Sequence, residues 1–233
     1  MDYANKARRR GDKIIAIDGP AGSGKSTVAK EVARRLDFLY VDTGAIYRAL
    51  TLAAMREKVD LEDGKALAEL ARRVKIQLSM RGDSLKVMLG REDVSRAIRE
   101  QALTERVRFV AQIKAVRAEL VKLQRKLAEN AKGAVLEGRD IGTVVFPTAK
   151  YKFYLDASPS ERTRRRFKEL RQMGQKVRAE AIAEDIEKRD KSDMTRAVAP
   201  LAKAQDAVFI DTTKLSVRDV VEKILDIIGA SSQ

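Results

Sequence analysis

The chain is expected to fold as an α/β protein: a mainly parallel sheet covered by helices on both faces. Two observations predict it. Apolar runs of strand length alternate with segments of helical periodicity along most of the 233 residues, and that alternation builds a parallel sheet. The first run, Ile14-Ile15-Ala16-Ile17, is continuous rather than alternating, as a strand buried on both faces requires. A hydrophobic share of 44% is enough for one sizeable core, with room for an inserted or movable piece. No apolar run approaches the ~18 residues of a membrane span, and residues 1–13 are polar and basic, unlike a signal peptide. A cytoplasmic location and no membrane partner are therefore expected.

Residues 1–12 read as a disordered basic tail, and 13–228 as a single domain followed by a short tail over 229–233. Ile14–Asp18 is the first strand. Lys25–Leu36 is a helix with Val28, Val32 and Leu36 on one face. A second strand over 38–41 runs into Asp42-Thr43-Gly44, a helix over 45–55 and a short helix over 65–74. Then the texture changes. Residues 75–80 and 84–89 alternate and flank Arg81-Gly82-Asp83, which reads as a hairpin. This antiparallel piece and the helices after it form the expected insertion, about 64–130, ending in one long helix over 104–130 with a kink near Ile113. Strands over 134–136 and 152–155 return to the core, joined through a loop over 137–142.

Ser158, Pro159 and Glu161 have the spacing of an N-cap, a first helical position and a closing capping box, so Pro159–Gln172 is a helix, broken at Met173-Gly174. Another helix over 179–188 and a last strand over 207–210 follow. Ser216 and Asp219 cap the final helix, whose Val217, Val220, Val221, Ile224, Leu225 and Ile228 form one apolar face.

Between the first strand and the first helix stands Gly19-Pro20-Ala21-Gly22-Ser23-Gly24-Lys25-Ser26, followed by Thr27. It fits G-x-x-x-x-G-K-[ST], the phosphate-binding P-loop, in the strand–loop–helix context that supports it. Gly19, Gly22 and Gly24 permit the backbone angles with which loop amides form a nest for phosphate oxygens. The helix opening near Lys25 adds its positive end. Lys25 can reach the β- and γ-phosphates, and the Ser26 hydroxyl can ligate Mg²⁺. A nucleoside triphosphate is the implied ligand.

The residue inventory narrows the chemistry. The chain has no Cys and no His, which excludes disulfides, Cys-ligated zinc, and histidine-based nucleophile or metal systems. Phosphoryl transfer suits what remains, because it depends on positioning and electrostatics. A formal net charge of +14 favours polyanionic partners. Residues 162–178 alone hold eight Lys or Arg against Glu169.

Other arginines predict a second anion site. Arg139 and Asp140 sit between Gly138 and Gly142, directly after a strand, where α/β sheets bind ligands. Arg48, Arg117, Arg189 and Arg196, with Asp193, are further candidates, since the guanidinium fork matches phosphate oxygens. Each of these taken singly also fits a solvated surface arginine.

The motifs together resemble a bacterial cytidylate kinase, one of the nucleoside monophosphate kinases among P-loop proteins. The stretches that carry this are 17–26, Asp42-Thr43-Gly44-Ala45-Ile46-Tyr47-Arg48, Gly138 to Pro147 (GRDIGTVVFP), Arg196 to Leu201 (RAVAPL), and Ile210-Asp211-Thr212-Thr213, in the family's order from about residue 14 to 228. The resemblance implies a P-loop NTPase-like parallel sheet with a small inserted antiparallel subdomain and a helical lid, about 157–178. It implies Mg²⁺-dependent transfer from ATP to CMP or dCMP in pyrimidine nucleotide metabolism, by a monomer. Lys25, Arg139, Asp140, Arg189 and Arg196 would then be catalytic. Thr43, Arg117 and Asp140 would surround the cytosine, Arg48 and Arg139 would hold the acceptor side, and Arg189 and Asp193 would contact ribose and phosphate. Arg165 and Arg166 would belong to the lid over ATP. The sequence departs from the family at Arg108, where a serine is usual near the acceptor base; Arg108 either faces solvent or reaches the acceptor phosphate.

Rival readings are a kinase of shikimate or a sugar acid, a GTPase switch, and a nucleic-acid binder. The inserted hairpin and 138–147 stand against the first, and the absence of an Asn-Lys-x-Asp motif stands against the second. Against the third, the aromatic residues form no stacking stripe, although the basic tail leaves room for a weak side affinity for RNA.

Overall fold

The computed structural model describes residues 13–230 apart from Asp83 and Met173. The tail expected over 1–12, the turn expected at Asp83, the helix break expected at Met173 and residues 231–233 of the expected closing tail lie outside the described residues.

A five-stranded sheet carries the fold, in the order β2-β6-β1-β7-β8, with every adjacent pair parallel. Its strands are β1 (Ile14–Asp18), β2 (Leu39–Asp42), β6 (Ala134–Gly138), β7 (Tyr151–Asp156) and β8 (Val208–Asp211). Every residue of β1 and β6 is buried, which requires cover on both faces. Helix α1 (Lys25–Leu36) packs against β6, β2 and the last helix, α8 (Val217–Ala230). Helix α2 (Thr43–Arg56) follows β2 without a loop, because the Asp42 carboxylate at the strand's end accepts the Ala45 N–H at 2.8 Å and serves as N-cap.

The insertion begins with α3 (Gly64–Arg73), capped by Asp63, and a separate antiparallel sheet of β3 (Ile76–Arg81), β4 (Ser84–Leu89) and a two-residue β5 (Glu92–Asp93). The strand β5 escapes pattern reading because so short a run has no period. A tight turn (Ala97–Arg99) leads to α4 (Gln101–Ala111) and α5 (Lys114–Glu129).

The expected single helix over 104–130 is therefore two helices, broken completely rather than kinked. Ile113 is extended (φ −78°, ψ 114°) and its side chain packs within 3.1 Å of where a Gly64 Cβ would lie. The Arg117 Nη1 reaches back and donates to the Ala111 carbonyl at 3.1 Å, satisfying the end of α4. These tertiary contacts are invisible in the helical periodicity on either side.

After β7 come α6 (Pro159–Gln172) and α7 (Ala179–Thr195), the latter a turn and more longer than its periodicity predicted. They pack through their own cluster of Leu170, Ile182 and Ile186, apart from the main core. Only half of the capping box at Ser158 forms. The Ser158 Oγ accepts the Glu161 N–H at 3.3 Å, but the Glu161 carboxylate pairs with Arg164 and Arg165, and the Ser158 N–H donates to Thr213 Oγ1 at 2.9 Å. The Ser216–Asp219 box forms in both directions, and α8 runs on to Ala230.

Leu120 on α5 is fully buried in the main core. Leu120→Ala should destabilise the protein by about 2–5 kcal/mol, read from the urea midpoint; an unchanged midpoint would mean that α5 is not docked as described.

Candidate active site

The C-terminal ends of β2, β6 and β1 open onto a cavity of about 400 Å³ that also reaches α4, α5 and α7. At one end lies the loop between β1 and α1. Gly19, Gly22 and Gly24 have φ of 148°, 76° and 90°, values that side chains disfavour. Gly19 has a second constraint: a Cβ there would lie 2.0 Å from the Leu155 carbonyl oxygen of β7.

The Lys25 Nζ is buried and folded back on the loop, donating to the Pro20 carbonyl at 2.5 Å and to Ser23 Oγ at 3.3 Å. Burial, then the charge of Arg139, pushes Lys25 down to about 7, so an anion entering the loop would restore its charge. The Ser26 hydroxyl donates to Glu137 Oε1 at 2.5 Å, and the Tyr40 hydroxyl donates to the same oxygen at 3.1 Å. Ser26 and Glu137 thus put hard oxygen donors side by side at the start of α1. Among the described residues no group of three or more acidic side chains forms a metal cage. This donor set fits Mg²⁺, which takes its other ligands from phosphate and water.

At the far end stands Asp140, directly after β6. Its Oδ2 accepts from Arg117 Nη2, and Arg196 Nη2 lies 3.5 Å from its Oδ1. The helix break delivers Arg117. Ala199, in a left-handed conformation at φ 51°, turns the chain so that Arg196 Nε donates to the Ala199 carbonyl at 2.6 Å. Between the two ends, Arg139 Nε donates to Asp193 at 2.8 Å, and Arg48 Nη2 donates to Asp42 at 3.2 Å. Burial, then the adjacent Arg139, lowers Arg189 to about 10. Thr43 Oγ1 donates to the Glu137 carbonyl at 2.7 Å. Arg48 Nε, Arg117 Nε and Arg196 Nη2 are buried with no hydrogen-bond acceptor among the described residues. Buried guanidinium N–H groups without a hydrogen-bond acceptor are costly, and an anionic or base ligand would satisfy them.

Most of the expected site residues meet here. Ala21, Gly22, Lys25, Ser26 and Thr27 wall the P-loop end; Thr43, Arg48 and Arg117 wall the other. Arg139, Asp140, Arg189, Asp193 and Arg196 lie along the cavity between and beyond them. Gly19, Pro20, Ser23 and Gly24 build the loop without lining the cavity.

The two arginines assigned to the lid separate. Arg166 lines the cavity, paired with Glu169 at 2.8 Å, while Arg165 donates to the Thr212 hydroxyl and carbonyl at 2.9 and 2.7 Å. Arg165 Nη1 still borders the P-loop, 3.4 Å from where a Gly24 Cβ would lie, but the arginine of α6 seen to hydrogen-bond the loop is Arg162. Its Nη1 donates to the Ala21 carbonyl at 3.1 Å and pairs with Asp190, whose Oδ1 accepts the Ala21 N–H at 3.3 Å. Arg108 faces solvent over the Phe109 ring, and its helix neighbours Thr104 and Val107 face the cavity instead.

Sequence reasoning missed Glu137, Arg99, Arg162 and Asp190. The only signal for Glu137 was its place at the end of a strand beside the P-loop strand. Arg162 was visible as a member of a basic run, without the helix rotation that singles it out.

A P-loop at one end of a cavity and an arginine–carboxylate cluster at the other define the class as a P-loop phosphotransferase. The cytidylate kinase family model matches residues 15–230. A cytidylate kinase of Desulforamulus reducens is 53% identical over 213 residues, covering 91% of this chain and 95% of that protein. One of Caldanaerobacter subterraneus is 50% identical over 219 residues, covering 94% and 96%. The chain belongs to the cytidylate kinase family. A solved structure of an uncharacterized protein from Eubacterium ventriosum is 16% identical, with a TM-score of 0.50 over 93% of this chain and 98% of that one, a likeness of fold alone.

Gly19→Ala should force β7 away from the P-loop, destabilising the protein by about 1–3 kcal/mol and abolishing ATP binding in a calorimetric titration. Retained ATP affinity would show that the loop does not need this approach.

Proposed function

We propose that this chain transfers the γ-phosphoryl group of ATP to CMP or dCMP, giving ADP and CDP or dCDP, with Mg²⁺ beside Ser26 and Glu137. The observation that carries this reading is the continuous cavity joining Lys25 and Ser26 to an Asp140 gripped by Arg117 and Arg196.

No side chain has to be a nucleophile. An oxygen of the acceptor phosphate attacks the γ-phosphorus in line; a new P–O bond forms as the bond to the β–γ bridging oxygen breaks, and ADP leaves with that electron pair. Lys25, Arg139, Arg189 and Arg196 stabilise the charge that moves toward the bridge. Ser26 and Glu137 would hold Mg²⁺, which would supply further neutralisation of the phosphate charge when bound. Arg48 holds the acceptor phosphate, joined by Arg99, while Arg189 and Asp193 contact ribose and phosphate, and Thr43 borders the base.

Segment 64–130 serves as the acceptor-binding subdomain. The region about 157–178, with Arg166 and the Arg162–Asp190 pair, closes over ATP as a lid; the shared cluster of α6 and α7 supports a moving unit that extends into α7. Closure excludes water, the competing acceptor.

Base choice follows from donor and acceptor patterns. Cytosine presents an amino donor that a carboxylate accepts, whereas uracil presents a carbonyl there. The Asp140 carboxylate therefore matches cytosine and opposes uracil. The same reading makes the protein a monomer of cytoplasmic pyrimidine nucleotide metabolism. Among the described residues no helix is long and apolar enough to cross a membrane.

A coupled ADP-release assay with ATP–Mg²⁺ and CMP, dCMP, UMP, AMP, GMP or shikimate tests the reading. Turnover should be confined to CMP and dCMP, with UMP disfavoured up to ~10⁴-fold in kcat/KM, and Asp140→Asn should lower CMP kcat/KM by about 10- to 100-fold. Comparable use of CMP and UMP would discard the base argument, and turnover of shikimate alone would replace the acceptor.

A further inference from the structure

We propose that Asp18 is a positioning residue: it takes the first two backbone amides after Asp140, the second of which Asp140 would otherwise cap, and so keeps the Asp140 carboxylate in the cavity for the acceptor nucleotide. The inference deepens, and rests on, the reading of Asp140 as a base-binding group.

Asp140 stands immediately before a single wide turn, Ile141–Val145, in which the Val145 and Phe146 N–H groups reach back to the Asp140 and Ile141 carbonyls at 3.1 and 2.7 Å. The first amides of such a turn have no partner inside it. An aspartate in that position ordinarily folds its own carboxylate onto the second or third amide. Asp140 makes no such bond; its oxygens face Arg117 and Arg196.

The amides are taken from another strand. The Ile141 N–H donates to Asp18 Oδ1 at 2.9 Å and the Gly142 N–H to Asp18 Oδ2 at 2.8 Å. Asp18 can do this because β1 and β6 run in register, with Asp18 opposite Gly138. A carboxylate is the side chain that accepts both amides at once.

The arrangement has a cost. Asp18 is 4% exposed, and among the described residues no cation hydrogen-bonds to it. Burial raises its pKa to about 6 against the opposing pull of the two amides. Asp140 raises it further and Lys25 lowers it. Tyr154 faces it from β7. Lys152, also on β7, is committed to the Pro147 carbonyl and Asp206. A residue that merely filled space at this strand end would be apolar. Above pH ~6 the ionised carboxylate holds both amides; below it, a proton removes one acceptor and frees an amide for Asp140 to turn back upon.

The test compares wild type, Asp18→Asn, Asp140→Asn and the double variant. An asparagine keeps one acceptor oxygen and turns an NH₂ donor toward the other amide. Asp18→Asn should raise KM for CMP about tenfold and leave KM for ATP within about twofold. In the double variant the two effects should be far less than additive, because Asp18 acts through Asp140. The CMP phosphate titrates in the same range, so the readout is the ratio of wild-type to Asp18→Asn kcat/KM between about pH 5 and 8. It should be full above about pH 6 and approach unity below.

Equal rises in both KM values, additivity, or a pH-independent ratio would make Asp18 a purely structural residue. A loss with Asp140→Asn but none with Asp18→Asn overturns the positioning role alone, whereas no loss with Asp140→Asn removes Asp140 from the site and the role with it. Should Asp18→Asn not fold, wild-type NMR decides: the Ile141 and Gly142 amides must shift with the Asp18 carboxyl near pH 6, and amides indifferent to that titration would refute the clamp.

Discussion

The site depends on the register between two buried parallel strands. Asp18 pairs with Gly138 at the level ends of β1 and β6, so the P-loop and the 139–142 loop leave the sheet side by side. Parallel strands buried on both faces admit little slippage, since every residue of each is committed to the core. From that one alignment follow the Ser26–Glu137 contact, the Asp18 bonds to the next loop, and the placement of Arg139 and Asp140 opposite Lys25. The helices after each strand end then contribute their arginines to a place already defined.

The cavity is electrostatically unfinished. Arg48, Arg117, Arg139, Arg189, Arg196 and Lys25 all line it, and the acids that partner some of them hold geometry more than they contribute stability. Burial first, and then the charge of Arg139, lowers the pKa values of Lys25 and Arg189. Phosphate groups of donor and acceptor complete the balance, so binding and the assembly of the transferring geometry are one event.

The sequence made the frame legible where the signal is local. Ile14–Asp18 and Lys25–Leu36 stand as their apolar pattern predicts, because a strand, glycine loop and helix are each encoded within a few residues. The Gly138–Gly142 loop and the arginines around it are equally local features. What escaped was set by partners distant in sequence. Ile113 is apolar and continues a helical stripe, yet Gly64 and the Arg117–Ala111 bond end the helix there. Asp18 and Glu137 look like ordinary polar strand ends until the neighbouring strand's register is known. Among the crowded arginines of α6, only the rotation fixed by packing through Leu170 tells Arg162 from Arg165.

The most direct test of the account is a crystal structure with CMP and a non-hydrolysable ATP analogue bound together. The cytosine amino group should lie within about 2.7–3.2 Å of Asp140, with the acceptor phosphate among Arg48, Arg139 and Arg189 and the triphosphate in the loop at Lys25. A base bound away from Asp140, or a triphosphate outside the 19–26 loop, would contradict it.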